Sequence, residues 1–198
     1  MQRYHFLLLL ALAACSQADN SFTAQAAALE APSRAQWQKS DSVLAQVAQL
    51  CGGNLKGKIV LDLGAGTGYF TFRLAPLADS VLALEASPYF LQYLAERKDT
   101  SHCKNVAVLP IDSVGTGISA LRADVVLVVD TWPLLAQRVQ YAGRLHAVLK
   151  KNGYLVIANP RTTAVQETLD ELRRGGFRNF EVDSMLLPRQ YWIVAHAD

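Results

Sequence analysis

Three glycines at alternate positions follow a short apolar run in the segment VLDLGAGTG, residues 60–68. The apolar residues predict a buried strand, and the residues after the glycines predict the start of a helix. Gly64 permits a tight turn, Gly66 lets a ligand approach the backbone, and Gly68 lets the helix start close to the strand. The free N–H groups at that helix start favour an anionic group. The segment therefore predicts a strand–loop–helix unit that binds a ligand.

Apolar runs and helical patterns alternate along the rest of the chain. Strands are predicted at 58–63, 80–85, 105–111, 123–130 and 153–159, with helices between them. This alternation indicates a parallel sheet covered on both faces. Two further strand-like runs, 177–185 and 191–196, have no helix between them and predict a hairpin. We therefore expect an α/β, Rossmann-like fold with a doubly wound, seven-stranded sheet, mostly parallel with an antiparallel C-terminal hairpin strand. Pro110 predicts that the third strand lies at an edge.

Length and charge limit the function classes. The 198 residues suit one domain, which we expect to span 34–198. Nineteen Lys and Arg against 17 Asp and Glu give a net charge of +2, which is too even to predict nucleic-acid binding. The four His are scattered and no Cys-x-x-Cys spacing occurs, so the sequence predicts no metal site.

The first 15 residues, MQRYHFLLLLALAAC, have the pattern of a secretory signal: a basic start, a short apolar stretch and small residues. Their end, Leu12-Ala13-Ala14-Cys15, resembles the lipobox of bacterial lipoproteins. That resemblance implies cleavage before Cys15 and lipidation of its thiol, with the protein anchored to a bacterial membrane and facing the periplasm. Ser16 favours the outer membrane. An ordinary signal peptide or a cytoplasmic protein is the alternative.

The next residues, 16–33, are small and polar and predict a flexible tether, with a partial helix around residues 26–29. Two further cysteines, Cys51 and Cys103, lie within the predicted domain. They could form a disulfide in an oxidising compartment, and the sequence leaves their pairing open.

The glycine spacing limits the ligand. A dinucleotide-binding loop needs a third glycine at position 69, where this chain has a tyrosine. Tyr69 would crowd a pyrophosphate, whereas a smaller anion such as an amino-acid carboxylate would fit. Glu85 ends the second predicted strand, 23 residues after Asp62. A carboxylate at that position accepts hydrogen bonds from both hydroxyls of a ribose.

The segment Asp-Leu-Gly-Ala-Gly-Thr-Gly, residues 62–68, resembles motif I of the class I S-adenosylmethionine-dependent methyltransferases. The segment LKKNGYLVIAN at 149–159 is similar to the one that leads into their fifth strand, and the terminal hairpin matches their antiparallel seventh strand. Segments 34–38 (RAQWQ) and 187–194 (LPRQYWIV) resemble an exported, lipoprotein-type bacterial subgroup. The resemblance covers residues 34–198 and implies S-adenosylmethionine as the cofactor.

The resemblance also implies roles for individual residues. Asp62 and the glycines would hold the amino-acid end of the cofactor, Glu85 the ribose, and Asp112 with Ser113 the adenine. The full cofactor-binding set that it implies is Asp62, Gly64, Ala65, Gly66, Gly68, Glu85, Asp112, Ser113 and Asp130. Two of these have structural alternatives: Asp112 as a cap for the next helix, and Asp130 as the N-cap of a helix at Pro133.

Asp130 is the catalytic candidate, as a base or as a group that orients the acceptor. Other candidates at the open edge of the sheet are Trp37, Tyr69, Trp132 and Tyr191. The sequence Asp-Thr-Trp-Pro at 130–133 lacks the Asn/Asp-Pro-Pro-Tyr/Phe motif of amino-group methyltransferases, which favours a small-molecule acceptor over a nucleobase.

Because the cofactor is made in the cytosol while the signal points outside it, three interpretations stay open. The first is a membrane-anchored methyltransferase. The second is a non-catalytic, membrane-anchored protein that binds a nucleoside or another small molecule. The third is a nicotinamide oxidoreductase, which Tyr69 and the terminal hairpin disfavour.

Overall fold

The computed structural model describes residues 21–197. Its helices are α1 (residues 21–29), α2 (Arg34–Gln38), α3 (Ser40–Leu50), α4 (Thr71–Leu74), α5 (Pro88–Ser101), α6 (Arg138–Val148) and α7 (Val165–Arg174). Its strands are β1 (Ile59–Leu63), β2 (Ser80–Glu85), β3 (Val106–Pro110), β4 (Ala123–Val129), β5 (Leu149–Pro160), β6 (Arg178–Asp183) and β7 (Gln190–His196). Short 3₁₀ turns lie at Ile118–Ala120 and Trp132–Leu134.

The strands form one seven-stranded sheet in the order β3-β2-β1-β4-β5-β7-β6. Strand β7 pairs antiparallel with both β5 and β6, and the other pairs are parallel. This arrangement confirms the predicted fold class, including the antiparallel strand near the C-terminus. Strand β3 lies at an edge, as the proline at its end predicts.

The apolar strands are buried because helices cover both faces of the sheet. Alternate residues of β4 belong to different clusters: Val125 and Leu127 to one, Val126 and Val128 to the other. Helices α3, α4 and α5 pack on the first face, and α6 and α7 pack on the second. The sheet order reverses between β1 and β4, so the connections after these strands lead to helices on opposite faces and leave a crevice at the carboxyl ends of the strands.

The structure differs from the predicted tether from residue 21 onwards, where α1 forms and packs on the domain. The ring of Phe22 lies 5.7 Å from that of Tyr89, 5.1 Å from that of Phe90 and 6.1 Å from that of Tyr93. Phe22, Ala26 and Leu29 are spaced by four and three residues, which places them on one helix face. The alanine-rich composition hid this weak apolar stripe in the sequence.

The predicted signal peptide, residues 1–15, and residues 16–20 of the predicted tether lie outside the described residues. Within the described range, no helix is both long and apolar enough to cross a bilayer. Within residues 21–197, neither Cys51 nor Cys103 forms a disulfide.

Candidate active site

A cavity of about 460 Å³ lies at the carboxyl ends of β1, β2, β3 and β4. It occupies the crevice at which the strand order reverses, the usual ligand site of open α/β sheets. Seven residues of the predicted cofactor set line it: Gly64, Ala65, Gly66, Glu85, Asp112, Ser113 and Asp130. Two others, Asp62 and Gly68, do not line it. The structure therefore brings seven of the nine predicted residues together around one cavity.

The loop after β1 presents backbone atoms that no side chain covers to the cavity. Its Gly64 and Ala65 N–H groups donate to the Leu84 carbonyl at 2.8 and 3.0 Å, which ties the loop to β2. A Cβ at Gly64 would overlap the side chain of Thr131, so this glycine lets the loops after β1 and β4 approach each other. At Gly66, with φ +55°, a Cβ would meet only Leu29 Cδ1, at 3.5 Å. Gly66 therefore presents backbone to a ligand.

The Glu85 carboxylate holds the glycine loop in place. It is 8% exposed and accepts hydrogen bonds from the N–H groups of Gly66 at 2.8 Å, Ala86 at 2.8 Å and Ser87 at 2.9 Å. A carboxylate has about four acceptor positions, so about one remains for a ligand. Accepting both hydroxyls of a ribose, the role predicted from sequence, requires release of one of these bonds.

Asp62 lies behind the loop. It is 3% exposed, and its carboxylate accepts a 2.6 Å hydrogen bond from the Thr71 hydroxyl. Burial raises the pKa of Asp62 to about 6, against the opposing effects of the Thr71 bond and the Arg34 charge. Gly68 is also behind the loop, where it faces Phe72 and Leu94. Asp62 and Gly68 therefore support the loop from the side that faces away from the cavity.

Asp112 and Ser113 lie on the exposed rim of the cavity after β3. The Asp112 carboxylate accepts hydrogen bonds from the backbone N–H groups of Thr116 at 2.8 Å and Val114 at 3.0 Å. These bonds, those from Thr116 foremost, lower the pKa of Asp112. The helix-capping role considered as an alternative is not what the structure shows: Asp112 closes a turn, and Gly117 precedes the 3₁₀ turn that follows.

Asp130 follows β4 in the left-handed conformation, with φ 57°. Its carboxylate accepts a 2.6 Å hydrogen bond from the Gln190 side-chain amide at the start of β7. Burial raises the pKa of Asp130, while the Gln190 bond and the Arg34 charge oppose that shift. The side chain faces Gln190, so the N-cap role considered from sequence is not what the structure shows.

Arg34 is a charged residue of the cavity wall that was not predicted from the sequence. Its guanidinium is buried, with 7% of the residue exposed, and it donates to the Leu29 carbonyl at 2.8 Å. It also lies 4.1 Å from the centre of the Tyr69 ring. Among the described residues it takes part in no ion pair. Burial lowers the pKa of Arg34, and Asp130 is the first of the acidic groups that oppose the shift. The only signal in the sequence was the resemblance of segment 34–38.

The aromatic candidates at the open edge have structural roles instead. None of the four lines the cavity: Trp37, Tyr69, Trp132 and Tyr191. The Tyr69 ring packs against the guanidinium groups of Arg34 and Arg73. The Trp132 indole donates a 2.9 Å hydrogen bond to Glu171. Over residues 21–197, no group of three or more His, Cys, Asp or Glu is placed to hold a metal ion.

The geometry agrees with a family match. Residues 54–192, more than half of the chain, match the family described as a methyltransferase domain. The chain belongs to this methyltransferase family. It is therefore a methyltransferase, and S-adenosylmethionine is its cofactor. The match confirms the family predicted from the glycine segment.

Solved structures share the fold of this methyltransferase. A SAM dependent methyltransferase from Aquifex aeolicus has a TM-score of 0.77 and 21% identity, over 88% of this chain and 98% of that chain. A TehB-like SAM-dependent methyltransferase from Corynebacterium glutamicum has a TM-score of 0.62 and 19% identity, over 77% of this chain and 86% of that chain. At these identities the likeness establishes the fold alone.

A curated relative is similar over a shorter stretch. The tRNA U34 carboxymethyltransferase of Ruthia magnifica subsp. Calyptogena magnifica is 42% identical to this methyltransferase over 60 residues. Those residues are 29% of this chain and 19% of the relative, so the match spans about a fifth of the relative's length.

Proposed function

We propose that this methyltransferase transfers a methyl group to a small-molecule acceptor that binds in the cavity beside the loop after β4. One observation carries the proposal: a single cavity of about 460 Å³ brings together the open backbone at Gly66, the Glu85 carboxylate and Asp130. Sites for small molecules have volumes of about 300–1,000 Å³. The cavity suits a nucleoside-sized cofactor with a compact acceptor next to it.

The residues present fit S-adenosylmethionine. The bare backbone at Gly66 allows close approach, and Glu85 keeps an acceptor position for a sugar hydroxyl. The exposed rim at Asp112 and Ser113 lies beyond Glu85, next to β3. Arg34 and Asp130 supply one positive and one negative charge, which match the carboxylate and ammonium of an amino-acid end.

The chain's own task is to orient the reactants and exclude water. When bound, the cofactor supplies a methyl group that its sulfonium already activates. Apolar side chains, including Leu29, Val129 and Leu135, form part of the cavity wall. Water exclusion and fixed orientation favour transfer of a group between two bound molecules.

The acceptor side of the cavity supports an apolar small molecule. Leu134 and Leu135 follow β4 at the cavity, and Leu134 is 80% exposed at its mouth. The net charge of +2 gives little general attraction for a phosphate backbone. The curated relative is named for a tRNA, but the short match does not extend that acceptor to this chain.

Calorimetry with S-adenosylhomocysteine tests cofactor binding. We expect saturable binding to the purified protein, weakened by about 1.5–3 kcal/mol in Glu85→Ala, which removes charge-assisted hydrogen bonds. The exposed Glu96→Ala variant on α5 is the matched control and should bind as the wild type does. Absence of binding at millimolar ligand would contradict the proposal. Transfer of labelled methyl groups into the small-molecule fraction of a cell extract, rather than into RNA, then tests the acceptor class.

We also propose that the protein is anchored to a bacterial membrane through a lipidated Cys15, facing the periplasm. The lipobox resemblance of Leu12-Ala13-Ala14-Cys15 supports it. Globomycin treatment of expressing cells should build up the uncut precursor. In untreated cells Cys15→Ser should also stay uncut, while the control Cys51→Ser should be processed normally. Normal processing under globomycin contradicts lipidation and favours a cytoplasmic or simply secreted protein.

A further inference from the structure

A chain of three hydrogen bonds joins α2 to Asp130 along one side of the cavity. Arg34 Nε donates to Gln38 Oε1 at 3.2 Å, and Gln38 Nε2 donates to Gln190 Oε1 at 2.7 Å. Gln190 Nε2 then donates to Asp130 Oδ1 at 2.6 Å. Gln38 is fully buried, and Gln190 is 1% exposed. Two amides therefore connect a buried cation to a largely buried carboxylate.

The direction of these bonds follows from chemistry. An arginine can only donate, so the oxygen of Gln38 must face Arg34 and its NH₂ group must face Gln190. The oxygen of Gln190 then faces Gln38, and its NH₂ group faces Asp130. The last group must accept, and a carboxylate does so with either oxygen. The Gln190 amide, which Gln38 orients, thus holds the Asp130 carboxylate by one oxygen.

Arg34 and Asp130, at the two ends of this series of hydrogen bonds, each keep a polar atom that is free to bond a ligand in the cavity. Within residues 21–197, the second oxygen of Asp130 and Nη2 of Arg34 have no hydrogen-bond partner. Both residues line the cavity, and they do not pair directly with each other. Buried charges are costly unless a partner of opposite charge meets them. A ligand that carries both a carboxylate and an ammonium would meet both.

We propose that Gln38 and Gln190 are positioning residues that hold Asp130 and Arg34 as a matched pair for the zwitterionic amino-acid end of the cofactor. The inference rests on the proposed cofactor site. In it, Arg34 takes the carboxylate and Asp130 takes the ammonium. Asp130 therefore binds the cofactor, in place of the base role considered from sequence. The amides act through Asp130 and Arg34 without touching the ligand.

Comparing the affinities of two ligands separates the contribution that the amino-acid end makes to binding. S-adenosylhomocysteine carries it, and 5′-methylthioadenosine lacks it but keeps the adenosine and sulfur. We would measure both affinities at pH 6 and pH 8 on the full-length chain, for the wild type and for Gln190→Glu. The variant keeps the size of the side chain but replaces the amide donor by a carboxylate that repels Asp130 when ionised. The exposed Gln36→Glu on α2 makes the same change of side chain and is the matched control.

We expect Gln190→Glu to weaken binding of S-adenosylhomocysteine roughly ten- to hundredfold at pH 8, as for a lost hydrogen bond to a charged group. The loss should be smaller at pH 6 than at pH 8, because lower pH favours a proton shared between the two carboxyl groups, which restores a donor. Binding of 5′-methylthioadenosine should stay within about twofold of wild type, because its contacts lie elsewhere. Unchanged binding of both ligands, or equal loss of both, overturns the inference.

Asp130→Asn is the second variant, for the case in which Gln190→Glu does not fold. It should lose affinity for S-adenosylhomocysteine and retain that for 5′-methylthioadenosine. Equal affinities of the wild type and Asp130→Asn for the first ligand overturn the inference alone. A wild-type protein that binds neither ligand overturns the proposed cofactor site, and the inference with it.

Discussion

Two walls of the cavity are built in different ways. The wall formed by the loop after β1 is held by backbone groups: Gly64 and Ala65 donate to Leu84, and Gly66 donates to Glu85. The wall formed by residues 21–38 is held by side chains from distant parts of the chain. Gln38 bonds a residue 152 positions away. The first wall depends on β1, its loop and the next strand, β2, whereas the second requires β7, at the other end of the chain.

The wall formed by residues 21–38 (the N-terminal wall) also forms hydrogen bonds with the wall formed by the loop after β1 (the loop wall). Glu30 accepts hydrogen bonds of 2.6 Å from both the Thr67 hydroxyl and the Arg97 guanidinium. Arg97 donates further to the Thr67 carbonyl at 2.9 Å. A residue of the segment that covers the cavity therefore contacts the glycine loop and α5 at once. We expect substitutions in the loop wall to cost more stability than those in the N-terminal wall.

The largest effect is expected for Gly64→Ala in the loop wall. The new Cβ would overlap Thr131, and Gly64 has φ +76°, which is unfavourable for alanine. We expect a loss of about 4 kcal/mol in the free energy of unfolding, measured in urea. Gly57→Ala is the control, since its φ is +73° but nothing lies within 4 Å, and it should lose only about 1–2 kcal/mol. Equal losses would mean that the two loops are not in close contact.

The buried Asp62 carboxyl group, beneath the loop after β1, makes the free energy of unfolding depend on pH. Its pKa rises from 3.8 to about 6 on folding, so the folded chain binds the proton more tightly than the unfolded chain. Its contribution to stability is therefore fully present at low pH and is lost as the pH rises from about 4 to about 6. Relative to Asp62→Asn, the wild type should lose about 3 kcal/mol over this range.

Urea unfolding at a series of pH values measures that difference, and a constant difference would contradict the account. Asp124→Asn is a control of opposite sign. Burial would raise the pKa of Asp124, but bonds from the Ile59 N–H and from Lys150 lower it overall. The stability contributed by Asp124 should therefore be lost as the pH falls through its lowered pKa.

A smaller effect is expected for Glu30→Gln in the N-terminal wall. The variant removes the charge that pairs with Arg97 while it keeps the shape of the side chain. The two side chains are 28% and 26% exposed, so solvent screens the pair in part, and we expect a loss of about 1 kcal/mol. The control is Glu96→Gln on α5, which should change stability little. A loss as large as that of Gly64→Ala would show that substitutions in the two walls cost the same stability.

The smallest change is expected for Tyr141→Phe. The Tyr141 hydroxyl donates a 2.6 Å hydrogen bond to the Asp112 carbonyl at the rim. Its removal leaves a carbonyl close to solvent, and we expect a loss of about 1 kcal/mol or less in thermal unfolding. A loss above about 2 kcal/mol would mean that the rim after β3 depends on this bond more than its exposure suggests.

The same contrast explains what the sequence could predict. The strand periods and the glycine segment establish the sheet, its antiparallel strand and the loop wall, because these features depend on residues close together in the chain. The roles of Arg34, Gln38 and Gln190 could not be predicted from the residues around them, since these roles depend on side chains that meet through the fold. For the same reason the sequence predicted only a partial helix around residues 26–29, whereas α1 spans residues 21–29 and packs on α5.

Aromatic residues near strand ends were a poor guide to the cavity. Trp132 follows the carboxyl end of β4, and Tyr191 lies at the start of β7, both near the site. Both residues are almost fully buried. Their polar atoms bond to Glu171 and to a cluster of hydroxyl and amide groups around Thr168. Position along a strand places a residue near the sheet edge, and side-chain direction decides whether it lines the cavity.

A crystal structure of the protein with S-adenosylhomocysteine would show where each end of the ligand binds. We expect the ligand in the cavity between the loop after β1 and the rim at Asp112, with its carboxylate at Arg34 and its ammonium at Asp130. Ligand density outside this cavity, such as beside Trp132 and Glu171, would contradict it. So would an amino-acid end that points away from Arg34.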